Sequence, residues 1–498
     1  MESLPSLPAL LAGLSVWRLL LLLFAQVVTF VVAGAIYRLY LHPLAKYKGP
    51  KLFALTNLVQ IRLVVRGEWV HRVLELHKQY GPIVRVAPNE ISYVNEDAWN
   101  DIYKSARGEE QLKKAMPVLR SPGVFGQPDD AVHQMKRKKL SPLMSDRGVN
   151  QREDVMLSNI AFFVKRLKEQ PDSAFDLTPW YQAVTSDIIG HFMSKESFGA
   201  VAKGEAIPEQ PENHKQLAGL AIGTAFSKNF FLRNFLVKRK AMPEYAVFEQ
   251  KAKKRWDKLI EDKGRIGDGT DAFGYLTMDM NTEKGLTSDR AFRVFSDFVL
   301  AGTDTVAISL LGLTYLLLRN PRELKILQEE VRSTFNSADD ITLARVNALK
   351  YQNACISEGL RLWPAGPETT RRTVNKGGKV IAGEHVPAGT HVGVYHWVAG
   401  RYPGAWKDAE SFVPERWLPG GADHKDDLKG VIQPFNVGPR NCVGQQLANA
   451  QLRLILANMI WYFDMALDNP NEADWMDVKI FGLVAVKKPL MVKLTSIR

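Results

Sequence analysis

The chain has 498 residues, of which 46% are hydrophobic and 24% are charged, so it is long enough to bury a large core. Its two cysteines, Cys355 and Cys442, exclude a disulfide framework and suit a reducing compartment. The formal charge of +12 suits an anionic membrane surface, an acidic protein partner or nucleic acid. Nucleic acid ranks last, and we expect no such partner, because no nucleic-acid-binding motif accompanies the charge.

Near the N-terminus, residues 19–37 form an apolar run. About 20 such residues cross the hydrocarbon core of a membrane as a helix. Arg18 precedes the run, whereas Arg38 and three lysines within residues 46–51 follow it, which predicts that the downstream side is cytosolic. A cleaved signal peptide is the alternative, but the run is longer than a usual signal and lacks a small-x-small cleavage site.

Length alone would allow two to four domains. However, no internal repeat, low-complexity tract or long linker divides the chain after its N-terminal part. We therefore expect a lumenal segment at residues 1–18, a transmembrane anchor at 19–37, a Pro/Gly hinge at 38–52 and one large domain at 53–498.

The first half of this domain mixes helical patterns with a little alternating, strand-like sequence. The patterns predict helices at residues 69–80, 153–168 and 180–194, strands at 83–87 and 90–94, and irregular connections at 104–130 and 262–285. Residues 226–236 mix aromatic side chains with cations, as an interfacial membrane segment does, although an ordinary helix end has the same composition.

A basic helical stretch follows the first irregular connection. His133 and Arg137 lie four residues apart and therefore on one face of a helix. The stretch could be a solvated basic face, and this is our interpretation of Lys136, Lys138 and Lys139. These three lysines could dock an acidic partner protein.

A long helix is predicted from Ser288 towards residue 320, with Pro321 stopping it. Its centre is Ala-Gly-Thr-Asp-Thr, residues 301–305. Glycine inside a helix costs about 1 kcal/mol relative to alanine, and an aspartate in an apolar run is expensive to bury without a partner. Both costs would be explained if the helix bulges open here, although the Thr305 hydroxyl could simply bond back to its own helix.

Two further short patterns follow. Glu358 and Arg361 lie three apart on a helix predicted over residues 344–362, and the tetrapeptide Pro-Glu-Arg-Trp contains Arg416. Taken alone, a Glu-x-x-Arg pair is a common surface ion pair of little energetic value. Residues 380–381 and 392–394 predict a small sheet, and residues 489–494 predict a terminal strand.

Residues 435–444 read Phe-Asn-Val-Gly-Pro-Arg-Asn-Cys-Val-Gly, and good helix formers follow them. Gly444 would allow a flat group to approach closely, and Arg440 offers a planar charged fork suited to a carboxylate. A helix that begins just after Cys442 would direct its N-terminal dipole at the sulfur and stabilise a thiolate. The alternative is a glycine-rich loop with a structural cysteine.

The pattern F-x-x-G-x-R-x-C-x-G, with every fixed position present, resembles the haem-binding signature of the cytochrome P-450 superfamily of haem-thiolate monooxygenases. The resemblance extends from the string RLYLHPLAKYKGP, residues 38–50, to the terminal strand, and is nearest to fungal membrane-bound members of secondary metabolism. It implies a mainly α fold with a small β portion. Haem b would lie between the long central helix and the cysteine loop.

The resemblance also implies roles for individual residues. Asp304 would relay protons, and Thr305 would donate a hydrogen bond to bound dioxygen, although Val306 stands where the family usually has Thr or Ser. Glu358, Arg361 and Arg416 would form a structural network. Cys442 would be the axial ligand of the haem iron, and the other residues implied to contact haem are Phe435, Gly444, Arg440, His133, Arg137 and Arg372, with neighbouring Arg371 making the last placement uncertain by one residue.

The implied reaction takes electrons from NADPH through NADPH-cytochrome P-450 reductase, with cytochrome b5 as a further candidate donor, and inserts one oxygen atom of O2 into a substrate. The implied location is the endoplasmic reticulum membrane, with a cytosolic catalytic domain. A haem-thiolate isomerase or dehydratase that needs no external electrons is an alternative, as is a non-catalytic haem carrier or sensor. Asp304 and Thr305 argue against both, because neither function requires proton delivery to oxygen.

The substrate is indicated only by class. Ala301, Val306, Gly366 and Pro367 predict an apolar pocket and hence a lipophilic molecule that arrives from the bilayer. The fungal resemblance suggests an intermediate of secondary metabolism, such as a terpenoid, polyketide or alkaloid. No motif of a serine hydrolase, zinc protease or phosphate-binding loop is present.

Overall fold

The structure is a computed structural model of the whole chain. It describes residues 16–105, 109–115, 123–170, 172–205, 242–263, 271–282, 285–470 and 475–498. The predicted mainly α fold with a small β portion is confirmed. The predicted interfacial segment at residues 226–236 lies outside the described residues.

The helices surround one large apolar core, and the strands gather into small sheets. In the described residues the helices are α1 Val16–Ile36, α2 Lys51–Leu55, α3 Leu58–Arg66, α4 Trp69–Tyr80, α5 Glu96–Tyr103, α6 Asp130–Leu140, α7 Asp146–Asn150, α8 Glu153–Lys168, α9 Thr178–Ser194, α10 Ala200–Lys203, α11 Met242–Lys263, α12 Ala272–Thr277, α13 Ser288–Arg319, α14 Pro321–Thr334, α15 Leu343–Asn347, α16 Lys350–Leu362, α17 His396–Ala399 and α18 Gln445–Tyr462. The strands are β1 Ile83–Ala87, β2 Glu90–Tyr93, β3 Lys113–Lys114, β4 Phe175–Asp176, β5 Arg372–Thr373, β6 Lys379–Ile381, β7 Glu384–Val386, β8 His391–Val394, β9 Phe463–Leu467, β10 Ile480–Phe481, β11 Val484–Ala485 and β12 Met491–Ser496.

The apolar N-terminal run is helical, as predicted. α1 has no buried residue and continues as a short π-helix over Tyr37–Leu41. The span Val16–Leu41 is long and apolar enough to cross a membrane. The hinge that follows is packed onto the domain, because the Arg85 guanidinium donates to the Arg38 carbonyl at 2.9 Å and the Arg85 N–H donates to the Lys48 carbonyl at 2.8 Å.

The largest sheet has the strand order β1-β2-β8-β5-β3. β8 runs parallel to β2, and the other pairs are antiparallel. The strands predicted at residues 380–381 and 392–394 do not share a sheet: β6 forms a hairpin with β7, whereas β8 joins the large sheet. The sequence could not distinguish these pairings, because β8 pairs with β2, about 300 residues earlier in the chain, as well as with nearby β5. The terminal strand β12 pairs with β9 and β4.

Two predictions of secondary structure require correction. The helix predicted over residues 344–362 is broken, since α15 ends at Asn347 and α16 begins at Lys350. Within residues 262–285, predicted to be irregular, α12 forms because the Asp271 side chain caps it by accepting from the Gly274 N–H at 2.6 Å.

The long helix α13 contains the Ala-Gly-Thr-Asp-Thr centre and is α-helical throughout. The expected bulge is therefore absent. Gly302 has a packing role instead: a Cβ atom there would lie 2.7 Å from Cδ1 and Cγ1 of Ile189 on α9. Gly312 faces a tighter restriction, since its Cβ would lie 2.1 Å from Cδ1 of the buried Trp363. Glycine lets neighbouring elements approach this helix closely.

A buried ionic network connects α16 with the irregular segment that follows α17. The Arg361 guanidinium donates to both oxygens of Glu358 at 2.7 and 2.8 Å, and Arg416 donates to the same carboxylate at 3.0 Å. All three side chains are fully buried. The Trp417 indole N–H also donates to Glu358 at 2.9 Å, and Asp427 pairs with Arg416. The three residues predicted to form a network are thus in contact.

The Gly312→Ala and Gly302→Ala variants form a matched pair within one helix. Each gains about 1 kcal/mol of helix propensity, whereas an added methyl in a packed core costs about 1–3 kcal/mol. We expect Gly312→Ala to lower the free energy of unfolding more than Gly302→Ala. The added methyl would meet the large, buried Trp363 indole at position 312, whereas at position 302 it would meet the end of the Ile189 side chain, which can change rotamer. The thermal midpoint of the helical circular dichroism signal measures the difference, and equal midpoints would contradict this packing account.

Glu358→Ala would leave two guanidinium groups buried without their carboxylate. Breaking a buried ion pair from one side costs about 3–5 kcal/mol, so we expect a large loss of folded protein, measured by chemical denaturation. Glu329→Ala is the control, because the Glu329 side chain is 67% exposed and lies 4.0 Å from Lys325. Similar effects of the two substitutions would contradict the structural role of the network.

Candidate active site

The cysteine loop precedes α18, and its backbone conformation is unusual. Asn436 and Gly438 have positive φ angles of 60° and 78°. A Cβ atom at Gly438 would lie 2.2 Å from the Tyr103 carbonyl oxygen, so glycine is required there. The loop closes through the Cys442 N–H, which donates to the Phe435 carbonyl at 2.8 Å. This bond fixes the direction in which the cysteine side chain leaves the backbone.

Protein atoms surround the Cys442 thiol, although the residue keeps accessible surface. Burial raises the pKa of the thiol, whereas the Gly444 N–H and the positive charge of Arg137 lower it. α18 begins three residues later at Gln445, as predicted. A Cβ at Gly444 would meet no atom within 4 Å, so the space beside the loop is open.

Helix α6 holds the cysteine loop at two points. The Arg137 guanidinium donates to the backbone carbonyl of Asn441 at 2.6 Å and to its side-chain oxygen at 2.7 Å. The Arg440 guanidinium donates to the Asp130 carboxylate at 3.0 Å and to the Pro128 carbonyl at 3.2 Å. Arg440 therefore binds a carboxylate, as its chemistry predicts, but in this structure the carboxylate belongs to α6.

Five basic side chains converge between α6, the large sheet and the cysteine loop, and their pKa values reflect burial and mutual repulsion. Burial, with repulsion from nearby cations, lowers the pKa of His133 to about 3 and that of Lys114 to about 7. The same causes lower the pKa of Arg372 to about 10. Arg137 and Arg440 complete the basic cluster. A concentration of positive charge at low dielectric suits an anionic ligand.

Arg371 and Arg372 occupy different surroundings. Arg371 pairs with Glu90 at 2.8 Å. Arg372 lies 5.1 Å from the centre of the Tyr103 ring and is repelled by Arg440. The structure thus places Arg372, the residue chosen from the sequence, in the cluster.

One face of α13 carries accessible side chains although its neighbours are buried. Ala301 and Thr305, which lie four residues apart and hence on one face, are exposed. The Thr305 hydroxyl donates to the Ala301 carbonyl at 2.8 Å, which is the back-bond considered as the alternative above. A hydroxyl that donates in this way can still accept a hydrogen bond. Val306 is only 3% exposed and belongs to the core, because one residue turns the helix by about 100°.

Asp304 lies on another face of α13 and has polar partners. Its Oδ1 accepts from the Gln182 amide of α9 at 2.9 Å and lies 2.9 Å from the Lys487 ammonium. The cost of burying this carboxylate is therefore offset by a cation and an amide rather than by opening of the helix.

The other two residues proposed to line the pocket are held by their backbones. The Gly366 carbonyl lies 2.9 Å from His396 Nδ1, and the Pro367 carbonyl accepts from the Trp397 N–H at 3.1 Å. Gly366 is half-buried, but Pro367 is buried. Of the four candidate pocket residues, Ala301 and Gly366 retain accessible surface, whereas Val306 and Pro367 contribute to the core. The sequence did not indicate Glu368 in the same loop, where burial raises the carboxyl pKa to about 7.

The lysines of α6 are not a uniformly solvated face. Lys136 is buried and donates to the Gly123 carbonyl at 3.1 Å. Lys139 pairs with Asp279, and Lys138 is exposed. The expectation of a solvated basic face is therefore wrong for Lys136 and incomplete for Lys139. Charge alone could not indicate this, because the partners lie in other elements.

The residues at this site fit a haem group. The basic cluster would accommodate its two propionates, the open space at Gly444 would admit the flat ring, and the Cys442 sulfur is accessible to the iron. Sequence reasoning missed Lys114, Asp130 and Asn441, because their roles depend on contacts with distant residues. It likewise gave no sign of Gln182 and Lys487 as partners of Asp304.

Comparison with known proteins identifies the family of this chain. The sequence model of the family described as Cytochrome P450 matches residues 48–494. An averantin hydroxylase of Dothistroma septosporum is 35% identical over 92% of this chain and 88% of its own length. The cytochrome P450 monooxygenase alt3 of Alternaria solani is 35% identical over 94% of this chain and 92% of its own length. An averantin hydroxylase of Aspergillus parasiticus is 33% identical, over 95% of this chain and 97% of its own length. Because the family match covers nearly the whole chain, the chain belongs to the cytochrome P450 family of monooxygenases.

Proposed function

We propose that the chain binds haem b with Cys442 as the axial thiolate and oxidises a lipophilic small molecule with O2 and electrons that originate from NADPH. The observation that carries the proposal is the accessible Cys442 sulfur in a loop held by Arg137 and bordered by the basic cluster. When bound, the haem would supply the oxygen-activating chemistry, which an axial cysteine thiolate favours by donating electron density.

The protein's own residues would hold the cofactor and move protons. Arg372, His133 and Lys114 would face the propionates, while Arg137 holds the Asn441 backbone next to the axial cysteine. The Thr305 hydroxyl donates its hydrogen to the Ala301 carbonyl. Its oxygen can still accept a hydrogen bond from a water molecule. Asp304, which forms an ion pair with Lys487, would take up protons from solvent and pass them towards this face.

The exposed apolar helix α1 would anchor the chain in the endoplasmic reticulum membrane as a single span, with the catalytic domain cytosolic. Such a location gives access to NADPH-cytochrome P450 reductase, with cytochrome b5 as a further candidate donor. Lys138 is exposed and lies on α6, the helix that contacts the cysteine loop through Arg137. It would favour docking of an acidic electron donor near the cofactor.

The substrate class follows from the membrane location and the relatives. The accessible face at Ala301 and the bend at Gly366 offer small, apolar surface, which suits a lipophilic molecule. Two of the relatives hydroxylate averantin by name. We therefore propose an intermediate of fungal secondary metabolism as the substrate and hydroxylation or a related oxidation as the reaction.

The carbon monoxide difference spectrum of dithionite-reduced membranes that contain the full chain tests this proposal. We expect a strongly red-shifted Soret band, which Cys442→Ala abolishes because the thiolate is lost. Cys355→Ala is the matched control, since Cys355 is a fully buried core residue and its removal leaves the loop intact. A red-shifted band in the Cys442→Ala protein would overturn the proposed ligand.

Arg137→Gln tests whether α6 holds the cysteine loop. The substitution removes two charge-assisted hydrogen bonds to Asn441, each worth about 1.5–3 kcal/mol. We expect a smaller share of the reduced protein to give the red-shifted carbon monoxide band, measured against total haem. The neighbouring variant Lys138→Gln, at an exposed position of the same helix, should match the wild type. If both variants retained the full band, the loop would not depend on Arg137.

A further inference from the structure

A segment near the C-terminus reaches into the centre of the molecule. Lys487 lies between β11 and β12, and its ammonium is 2.9 Å from Oδ1 of Asp304 in the middle of α13. The two residues are 183 positions apart in the sequence. The Asp304 side chain is 10% exposed and that of Lys487 is 21% exposed, so the lysine is on the solvent side of the pair.

The backbone around Lys487 is fixed on both sides. The Val486 N–H donates to the Lys479 carbonyl at 2.9 Å. The Leu490 N–H lies within hydrogen-bond distance of Asp176 and of Thr178 at the start of α9. α9 also supplies Gln182, whose amide donates to the same Oδ1 atom of Asp304 at 2.9 Å. The ammonium and the amide therefore approach the carboxylate from two anchored elements.

The carboxylate is held away from the accessible face of α13. Thr305 and Ala301 share that face, whereas Asp304 is turned from Thr305 by about 100° around the helix axis. A carboxylate with little exposure needs a charged or hydrogen-bonding partner to stay ionised. Lys487 and Gln182 both bind this carboxylate, and the more exposed Lys487 lies on its solvent side.

We propose that Lys487 is the positioning residue for proton delivery through Asp304, completing a path from solvent to the Thr305 face. The inference rests on the proposed function, since it gives Asp304 the proton-relay role. The ammonium keeps the carboxylate oriented in an ion pair, and each proton passed towards Thr305 is replaced from the solvent that reaches Lys487. Without the ammonium, the carboxylate keeps the Gln182 amide but loses the ion pair with Lys487, so proton relay through Asp304 fails more often.

The first experiment asks whether the pair forms, and it does not depend on activity. A double-mutant cycle of Lys487→Met and Asp304→Asn is measured by chemical denaturation of the full chain. We expect a coupling of about tenfold in the unfolding equilibrium constant, in the range found for contacting charged residues. Additive effects of the two substitutions would overturn the ion pair and with it the proposal.

The second experiment measures the peroxide formed per NADPH consumed. It uses the full chain reconstituted with reductase and NADPH, without organic substrate. Two electrons and two protons convert O2 to hydrogen peroxide, whereas four of each convert it to two molecules of water. We expect Lys487→Met to raise the peroxide formed per NADPH consumed by about twofold or more, because the later protons arrive too slowly. The solvent deuterium isotope effect on NADPH oxidation should rise as well.

The control variants separate positioning from folding. Lys487→Arg should restore wild-type peroxide yield, and Lys493→Met on β12 should match the wild type, because Lys493 pairs with Asp468 in an exposed ion pair at 3.0 Å. All variants should keep the red-shifted carbon monoxide band. If Asp304→Asn raised peroxide but Lys487→Met did not, the role of Lys487 would be refuted while that of Asp304 stood. If neither changed it, both roles would be refuted, while the haem ligand would remain a separate question decided by Cys442→Ala.

Discussion

The fold around the candidate site depends on one buried carboxylate. Glu358 lies between the guanidinium groups of Arg361 and Arg416, and all three side chains are excluded from water. Burying these charges is tolerable only because almost every hydrogen-bonding group has a partner. Arg361 also donates to the carbonyls of Ala409 and Ser411, so the network orders the irregular chain between α17 and the cysteine loop.

The cysteine loop follows this ordered chain, and contacts with α6 hold it in place. Arg137 binds Asn441 next to the axial candidate, and Arg440 binds Asp130 at the start of the helix. Helix α6 therefore holds the loop, and the space beside Gly444 is open. For the proposed haem, that arrangement would preorganise a single thiol and leave little to be rearranged on binding.

Helix α13 presents an accessible face and a charged face in different directions. Its accessible face carries Ala301 and Thr305, whereas Asp304 projects towards α9 and the C-terminal segment. Gly302 lets α9 approach closely enough for the Gln182 amide to reach the carboxylate. Gly302 and Asp304 at the helix centre thus both contribute to the contact between α13 and α9. The proposed proton delivery uses Asp304 and its ion pair with Lys487.

The sequence by itself determined the features that depend on local pattern. Hydrophobic period and caps predicted α4, α8 and most of α9 and α13, and the run of apolar residues predicted α1. The spacing of Phe435, Gly438, Arg440, Cys442 and Gly444 identified the cysteine loop and the family. These signals are readable because helical faces, turns and short motifs are formed by residues close together in the chain.

Only the tertiary structure decided which partners these residues have. Arg440 pairs with Asp130, Lys136 is buried, Val306 faces the core and Asp304 meets Lys487. It also showed that Gly302 serves packing, because the close approach of Ile189 comes from another helix. Most of these contacts join residues more than a hundred positions apart, and no local pattern specifies them. Residue types thus indicated the chemistry, while long-range packing determined where each charged group is placed.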